Sequence, residues 1–381
     1  MADLKGFFQG EAASAFAGSA RDMGQQFEYK LGAQEDVLHP RRFAPRQDLL
    51  PMVIDADPTA ARGHAVAAKA RPAILPADIA AEDAFRLTLL QCKWHIASNI
   101  AAIVEARETE GIHQMRVGFR RLRVALTSFG GDFRTPALES LGARARKLAE
   151  KLAPARDLDV FVEELLEPAA EANGAVEAFG LLRARAGQAR RTAWDYAVAH
   201  VTGPSFGAFM NDLSEALDGR IWFEAAGRAH ATKGHMAFEI PAREIAGRML
   251  AHRLKVARKR GRHLNRLTDE QRHAFRISLK KLRYTAEFFA PLYEARTMRP
   301  FHRRLSRMQD ILGGLNDVAV ARSTLDKLVA ARDGLAASER ADLSFAAGIV
   351  YGWHLDRAGH IWKKGKTRWK DFAKTEPFWE N

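Results

Sequence analysis

Apolar residues recur along most of this chain at the spacing of one helical face. From Ile79 to Ala106 Ala, Leu and Ile fall three and four positions apart, which predicts a long helix. Beyond it helix formers dominate, with punctuation at Gly111, Gly130-Gly131, Pro136, Pro154, Pro168, Gly174, Gly203-Pro204, Gly219, Gly234, Pro241, Gly261, Pro291, Pro300 and Gly313-Gly314. That spacing predicts many helices of about two to six turns, and strand-like alternation is scarce, so the expected class is all-α. Before this region Pro40, Pro45, Pro51 and Pro58 interrupt any sustained period, which predicts an irregular arm to about Arg71 and a short linker flanked by Pro72 and Pro76. No stretch of about 18 uncharged apolar residues occurs, which excludes a membrane-spanning helix. Asp3, Lys5 and Glu11 interrupt the segment that a secretory leader would need to keep apolar.

The pattern repeats. His113-Gln-Met-Arg-Val-Gly-Phe-Arg-Arg-Leu-Arg123 aligns without a gap on His273-Ala-Phe-Arg-Ile-Ser-Leu-Lys-Lys-Leu-Arg283, an offset of 160 that also carries Phe129 onto Phe289, Leu152 onto Leu312, Asp157 onto Asp317 and Val160 onto Val320. Two copies of one ancestral unit are expected, each about a four-helix bundle. With about 100° per residue, Met115, Phe119, Leu122, Leu126 and Phe129 gather in one sector, as do Phe275, Leu279, Leu282, Ala286 and Phe289 in the second copy. Arg116, Arg120 and Arg123 gather about 110° away with His113 at the sector's edge, and Arg276, Lys280, Arg283 and His273 repeat that arrangement.

Charge gives the stripes their meaning. The 59 Lys and Arg exceed the 46 Asp and Glu by 13, and residues 1–75 hold nine of each sign, so the whole excess lies beyond them. Like charges one turn apart repel, so stripes built twice imply an anion to hold. Arginine's forked donors fit phosphate oxygens, which makes phosphate the best-matched ligand class. Arg248, His252, Lys255, Lys259 and Arg262 form another one-sided stripe. Arg144, Lys147 and Lys151 form a shorter one, matched by Arg304 and Arg307. Each of the two histidines is open to three roles: a bond to a backbone carbonyl, a phosphate contact, or metal ligation, the last disfavoured because no second histidine or acidic cluster accompanies either. Asp157 and Asp317 read as helix caps or as partners of a nearby arginine rather than as catalytic acids. The single Cys92 cannot form an internal disulfide and suits a reducing cytosol.

At these residues the chain resembles the conserved histidine alpha-helical domain family, CHAD. The carrying motifs are His113 to Arg123 with Leu126 and Phe129, His273 to Arg283 with Tyr284 and Glu287, Leu312-Gly-Gly-Leu-Asn-Asp317, and the closing stretch Trp369 to Trp379. The resemblance runs from residue 78 to the end, leaving 1–77 as arm and linker, with halves at 78–235 and 236–381. It implies two pseudo-symmetric antiparallel helical bundles and a basic surface that binds inorganic polyphosphate, in some bacterial members on polyphosphate granules. The stripes hold no carboxylate apart from Glu287, so no catalysis, metal or cofactor is expected, and the lone Cys92 points to the cytoplasm. Carried over from the family, the ligand set is His113, Arg116, Arg120, Arg123, His273, Arg276, Lys280 and Arg283, and the expected binding set also takes in the adjacent Arg121 and Lys281. The neighbouring stripes add Arg144, Lys147, Lys151, His252, Lys255, Lys259, Arg304 and Arg307. Many relatives carry an upstream triphosphate tunnel domain, CYTH. Here Gln26-Phe-Glu-Tyr-Lys30 resembles that domain's opening with one Glu replaced, and Thr59-Ala-Ala-Arg-Gly-His64 its following linker. The segment between them is too short for a closed barrel, so triphosphatase activity is not expected. Two alternatives remain: a nucleic-acid backbone along the same stripes, and a phosphohydrolase, which would need carboxylates for Mg²⁺.

Overall fold

The computed structural model describes residues 65–129, 133–174, 177–223, 240–330 and 334–380. The arm through residue 64, with its CYTH-like segments, lies outside them. All described residues belong to the unit spanning residues 46–381. Helices follow one another as α1 Ala81–Ala97, α2 Ile100–Val104, α3 Thr109–Ser128, α4 Pro136–Lys151, α5 Ala153–Val160, α6 Glu167–Ala172, α7 Phe179–Val201, α8 Pro204–Asp218, α9 Ala242–Gly261, α10 Asp269–Phe289, α11 Ala295–Ala330, α12 Ala337–Lys363 and α13 Gly365–Ala373. A π-helical turn, Phe161–Leu166, joins α5 to α6. No strand occurs among the described residues, and no helix among them is long and apolar enough to cross a membrane.

Local chemistry sets the ends. Thr268 caps α10 by accepting from Gln271 N, while the Gln271 side chain returns to Thr268 N at 2.9 Å, and Asp269 and Glu270 complement the helix dipole in the first turn. Thr135 caps α4 in the same way, with Pro136 following. The run from Ile79 to Ala106, expected as one helix, breaks at Asn99. That fully buried side chain accepts from Ala68 N at 3.0 Å and donates to the carbonyls of Ala68 and His95, which draws the preceding extended segment against the helix end. Gly313-Gly314, expected to interrupt, does not. The 36-residue α11 continues through both, and Gly314 leaves room for Ile361 of α12.

Both predicted apolar sectors are interior. Met115, Phe119, Leu122 and Phe129 are fully buried, as are Phe275, Leu279, Leu282, Ala286 and Phe289. Phe129 meets its repeat counterpart Phe289 with ring centroids 5.3 Å apart. One core joins α9, α10 and the first half of α11 to the chain's end, where Trp369, Phe372, Phe378 and Trp379 are buried. A second core combines Phe161, Leu165, Phe179 and Leu182 with Leu325, Leu343, Ala346 and Val350. Residues on both sides of position 235 therefore share one core, because α11, about 54 Å long, reaches from the first core into the second.

The closing aromatic segment depends on a glycine. A Cβ at Gly261 would lie 2.3 Å from the Trp369 ring, whereas one at Gly247 on the same helix would touch nothing. Gly261→Ala is therefore expected to lose about 1–3 kcal/mol by overpacking, while Gly247→Ala gains a fraction of a kcal/mol in helix propensity. Urea unfolding of the two variants checks this. A Gly261→Ala protein as stable as Gly247→Ala would contradict the packing.

Candidate functional site

The flanks of the two apolar sectors decide where the repeated stripes go. Packing α3 on α10 through Phe129 and Phe289 leaves the basic flank of each helix beside the other. Arg120 Nη1 donates across the junction to Tyr284 Oη at 3.3 Å, and Ser128 and Thr285 hydroxyls lie 3.3 Å apart. Below them Arg121, 6% exposed, pairs with Glu287 and lies over the Phe288 ring at 5.0 Å. Arg121 is thus an interior fastening between the helices rather than a surface group. Glu287 also holds Arg283, 3.2 Å away along α10, and Arg283 donates to Gln309 Oε1 of α11 at 3.0 Å.

The result is one field, not two. Lys280 is partly buried, and its pKa falls to about 6, first because burial penalises the ammonium and then because Arg120, Arg276, Arg283 and Arg116 surround it. The stripes from positions 116–123 and 276–283 therefore converge on Lys280. Arg116 is anchored by donation to Ala149 O at 2.7 Å. Burial lowers its pKa and that of Arg276, opposed in the first case by Asp157 and in the second by Asp317, which also lies within electrostatic reach of Lys280. The two repeated carboxylates are thus partners of the two repeated arginines, one of the roles expected for them. The buried Nε of Arg276 has no hydrogen-bond partner among the described residues. His113 is pushed down to about 4, chiefly by burial and then by Arg156, so it is neutral at pH 7. His273 is exposed at the start of α10.

Other predicted residues part company with this cluster. His252, Lys255 and Lys259 are exposed, about 170° around α9 from its buried Leu250, Leu254 and Ala257, so they face solvent. The cations that α9 does bring to the site flank that apolar sector. Arg253 donates to Ser128 Oγ at 3.0 Å, and Arg253, Arg260 and Arg123 all depress Lys281 after its burial. On α4 Arg144 pairs with Asp212 of α8 over the Phe209 ring, Lys151 lies beside His200 and Lys147 is exposed, whereas Arg146 lies beside Arg123. Arg304 and Arg307 line grooves against α13. Sequence reasoning missed Arg146, Arg156, Arg253 and Arg260. A usable signal existed for the two on α9, which border an apolar sector instead of opposing it.

A family profile for the CHAD domain matches residues 88–326. The chain belongs to the CHAD family. The crystal structure of the CHAD domain from the plant Ricinus communis is similar over 82% of this chain and 98% of that one, with a TM-score of 0.65 and 26% identity. PptA from Streptomyces chartreusis shares the fold at 16% identity, with a TM-score of 0.55 over 77% of this chain and 100% of that one. No curated protein matches. The helical CHAD fold is therefore established, with the residues around Lys280 inside the matched span and α13 beyond it.

Lys280 carries a stability signature. Between about pH 6 and the ordinary lysine range near 10.4, the unfolded chain binds a proton that the fold does not, so stability contributed at this site rises with pH across that window and is lost as pH falls through it. Lys280→Met is expected to flatten that slope and to raise the melting temperature of the free protein at pH 7 by at least about 3 °C. Thermal unfolding from pH 6 to 9 checks it. An unchanged slope, or a less stable variant, would contradict the burial of a largely neutral amine among arginines.

Proposed function

We propose that this CHAD protein binds inorganic polyphosphate, without hydrolysing it, across the junction of α3 and α10. The observation that carries the reading is the convergence of both stripes on Lys280, whose pKa is lowered first by burial and then by Arg120, Arg276, Arg283 and Arg116 around it. A chain of phosphates passing over Arg116, Arg120, Arg123, Arg276, Lys280 and Arg283 would relieve that repulsion at successive steps. It would also raise the Lys280 pKa, so binding takes up protons and tightens as pH falls towards 6.

Tyr284 separates this reading from a nucleic acid. It is the aromatic nearest the stripes, it is 1% exposed and its hydroxyl is bonded by Arg120, so it offers no face for base stacking. Non-catalysis is supported by the carboxylates at hand. Asp157, Asp317 and Glu287 each face an arginine, a disposition that favours holding cations in place over gathering a divalent metal. Granule association and a cytoplasmic setting belong to the same proposal, the first supported by the family resemblance and the second by the lone Cys92.

The test is Arg120→Glu with Arg276→Glu, both off the apolar sectors. At one fixed salt concentration the double variant, with an unchanged helical circular dichroism spectrum, is expected to lose at least tenfold in affinity for long-chain polyphosphate. The wild type should prefer that ligand to single-stranded RNA at equal charge and release no phosphate from it with Mg²⁺ or Mn²⁺. A folded variant with unchanged affinity, or a wild type that prefers RNA, would reject the reading.

A further inference from the structure

The long helix α11 turns two different faces to its surroundings. At about 100° per residue His302 and Gln309 fall together, on the side where Gln309 accepts from Arg283 of the stripe. Arg303, Arg304 and Arg307 fall about 150° away, towards α13. Between that face and α13 runs a groove of about 430 Å³ lined by Arg303, Arg304, Arg307, Arg368, Asp371 and Lys374. All six are exposed, and five are cationic. Arg304 donates to Thr375 Oγ1 at 3.1 Å, which fixes one guanidinium at the groove's edge. Among the described residues no ion pair engages Arg303, Arg307, Arg368 or Lys374. An adjoining depression of about 500 Å³ shares Arg307 and Arg368 and adds Lys363 and Lys364, so the positive track continues along the molecule.

We propose that the groove between α11 and α13 is a second polyphosphate site, separate from the stripe junction and turned in another direction. Arg307 lies one turn from both Arg303 and Arg304 on α11, and these like charges repel one another unless an anion lies between them and the cations of α13. Forked arginine donors on both walls suit the non-bridging oxygens of successive phosphates. No aromatic residue lines the groove, so it offers no stacking platform for bases. Arg368 and Lys374 lie beyond the span matched by the family profile. A protein with two such sites ties two polymer strands, or two stretches of one strand, together, and linked sites gain avidity for long chains.

This inference shares a ligand class with the proposed function but rests on other residues, so the two fail separately. The test is calorimetric titration with inorganic tripolyphosphate of the wild type, of Arg120→Glu/Arg276→Glu, and of Arg303→Glu/Arg307→Glu/Arg368→Glu. The wild type is expected to show two classes of site. The groove variant should keep the stripe class and lose at least tenfold in affinity at the other, and the stripe variant should do the reverse. Long-chain polyphosphate should cross-link the wild type into large assemblies by light scattering and neither variant. Should the triple reversal unfold the protein, the charge-removing Arg303→Gln/Arg307→Gln pair is read in its place, with the same expectation in smaller measure. A folded groove variant that titrates like the wild type overturns the proposal, as does a stripe variant with no residual binding. Groove binding that single-stranded RNA displaces more readily than tripolyphosphate also overturns it. Loss of the groove class together with an unaffected stripe class supports it.

Discussion

Everything in the candidate site depends on one contact, the packing of α3 against α10. Aromatic burial fastens it, with Phe129 at the end of α3 meeting Phe289 of α10 at 5.3 Å and both rings withdrawn from water. The same packing forces two like-charged flanks together, which opposes the fold. The buried pair Arg121–Glu287 answers part of that repulsion, since one carboxylate serves Arg121 from α3 and Arg283 from α10. What it leaves uncompensated collects at Lys280. Charge is thus concentrated by packing at a place that Asp157, Asp317 and Glu287 offset only in part, and an anion from outside would relieve the rest.

The sequence made much of this legible because both apolar sectors repeat at helical spacing over three turns, and a repeat at fixed offset leaves little room for a wrong register. The angular reading of Arg116, Arg120 and Arg123 also held, since a flank about 110° from the apolar sector still reaches a neighbouring helix. It failed to discriminate on α9. A regular basic stripe directly opposite the apolar sector is a solvated face, and the periodicity of His252, Lys255 and Lys259 does not distinguish that from a binding face. On α4 the apolar sector has two basic flanks, and no local pattern tells that Arg144 meets Asp212 while Arg146 faces Arg123. The field at Lys280 was only half visible for the same reason, since Arg276 and Arg283 lie on its own helix but Arg116 and Arg120 lie about 160 positions away.

Helix boundaries followed a similar division. The caps at Thr135 and Thr268 are local signals, although the apolar periodicity points to neither residue. Asn99 ends α1 through bonds to Ala68, some thirty residues upstream, and α11 runs through Gly313-Gly314, where a Cβ at Gly314 would touch Ile361 of α12. Both are tertiary effects that override a local preference. Long α11 shows the functional consequence, since its packing sends one polar face to the stripe junction and another to α13.

The central claim is that the two stripes act on one ligand as one site. A double-mutant cycle on long-chain polyphosphate affinity, with Arg120→Gln from the first repeat and Lys280→Gln from the second, measures this directly. If both side chains sit in one field over one ligand, the double variant loses an amount that differs from the product of the single losses by at least about threefold, corresponding to a coupling above the usual additivity error. Strict additivity within that error, with all three variants folded, would mean that the repeats bind independently and would contradict the account.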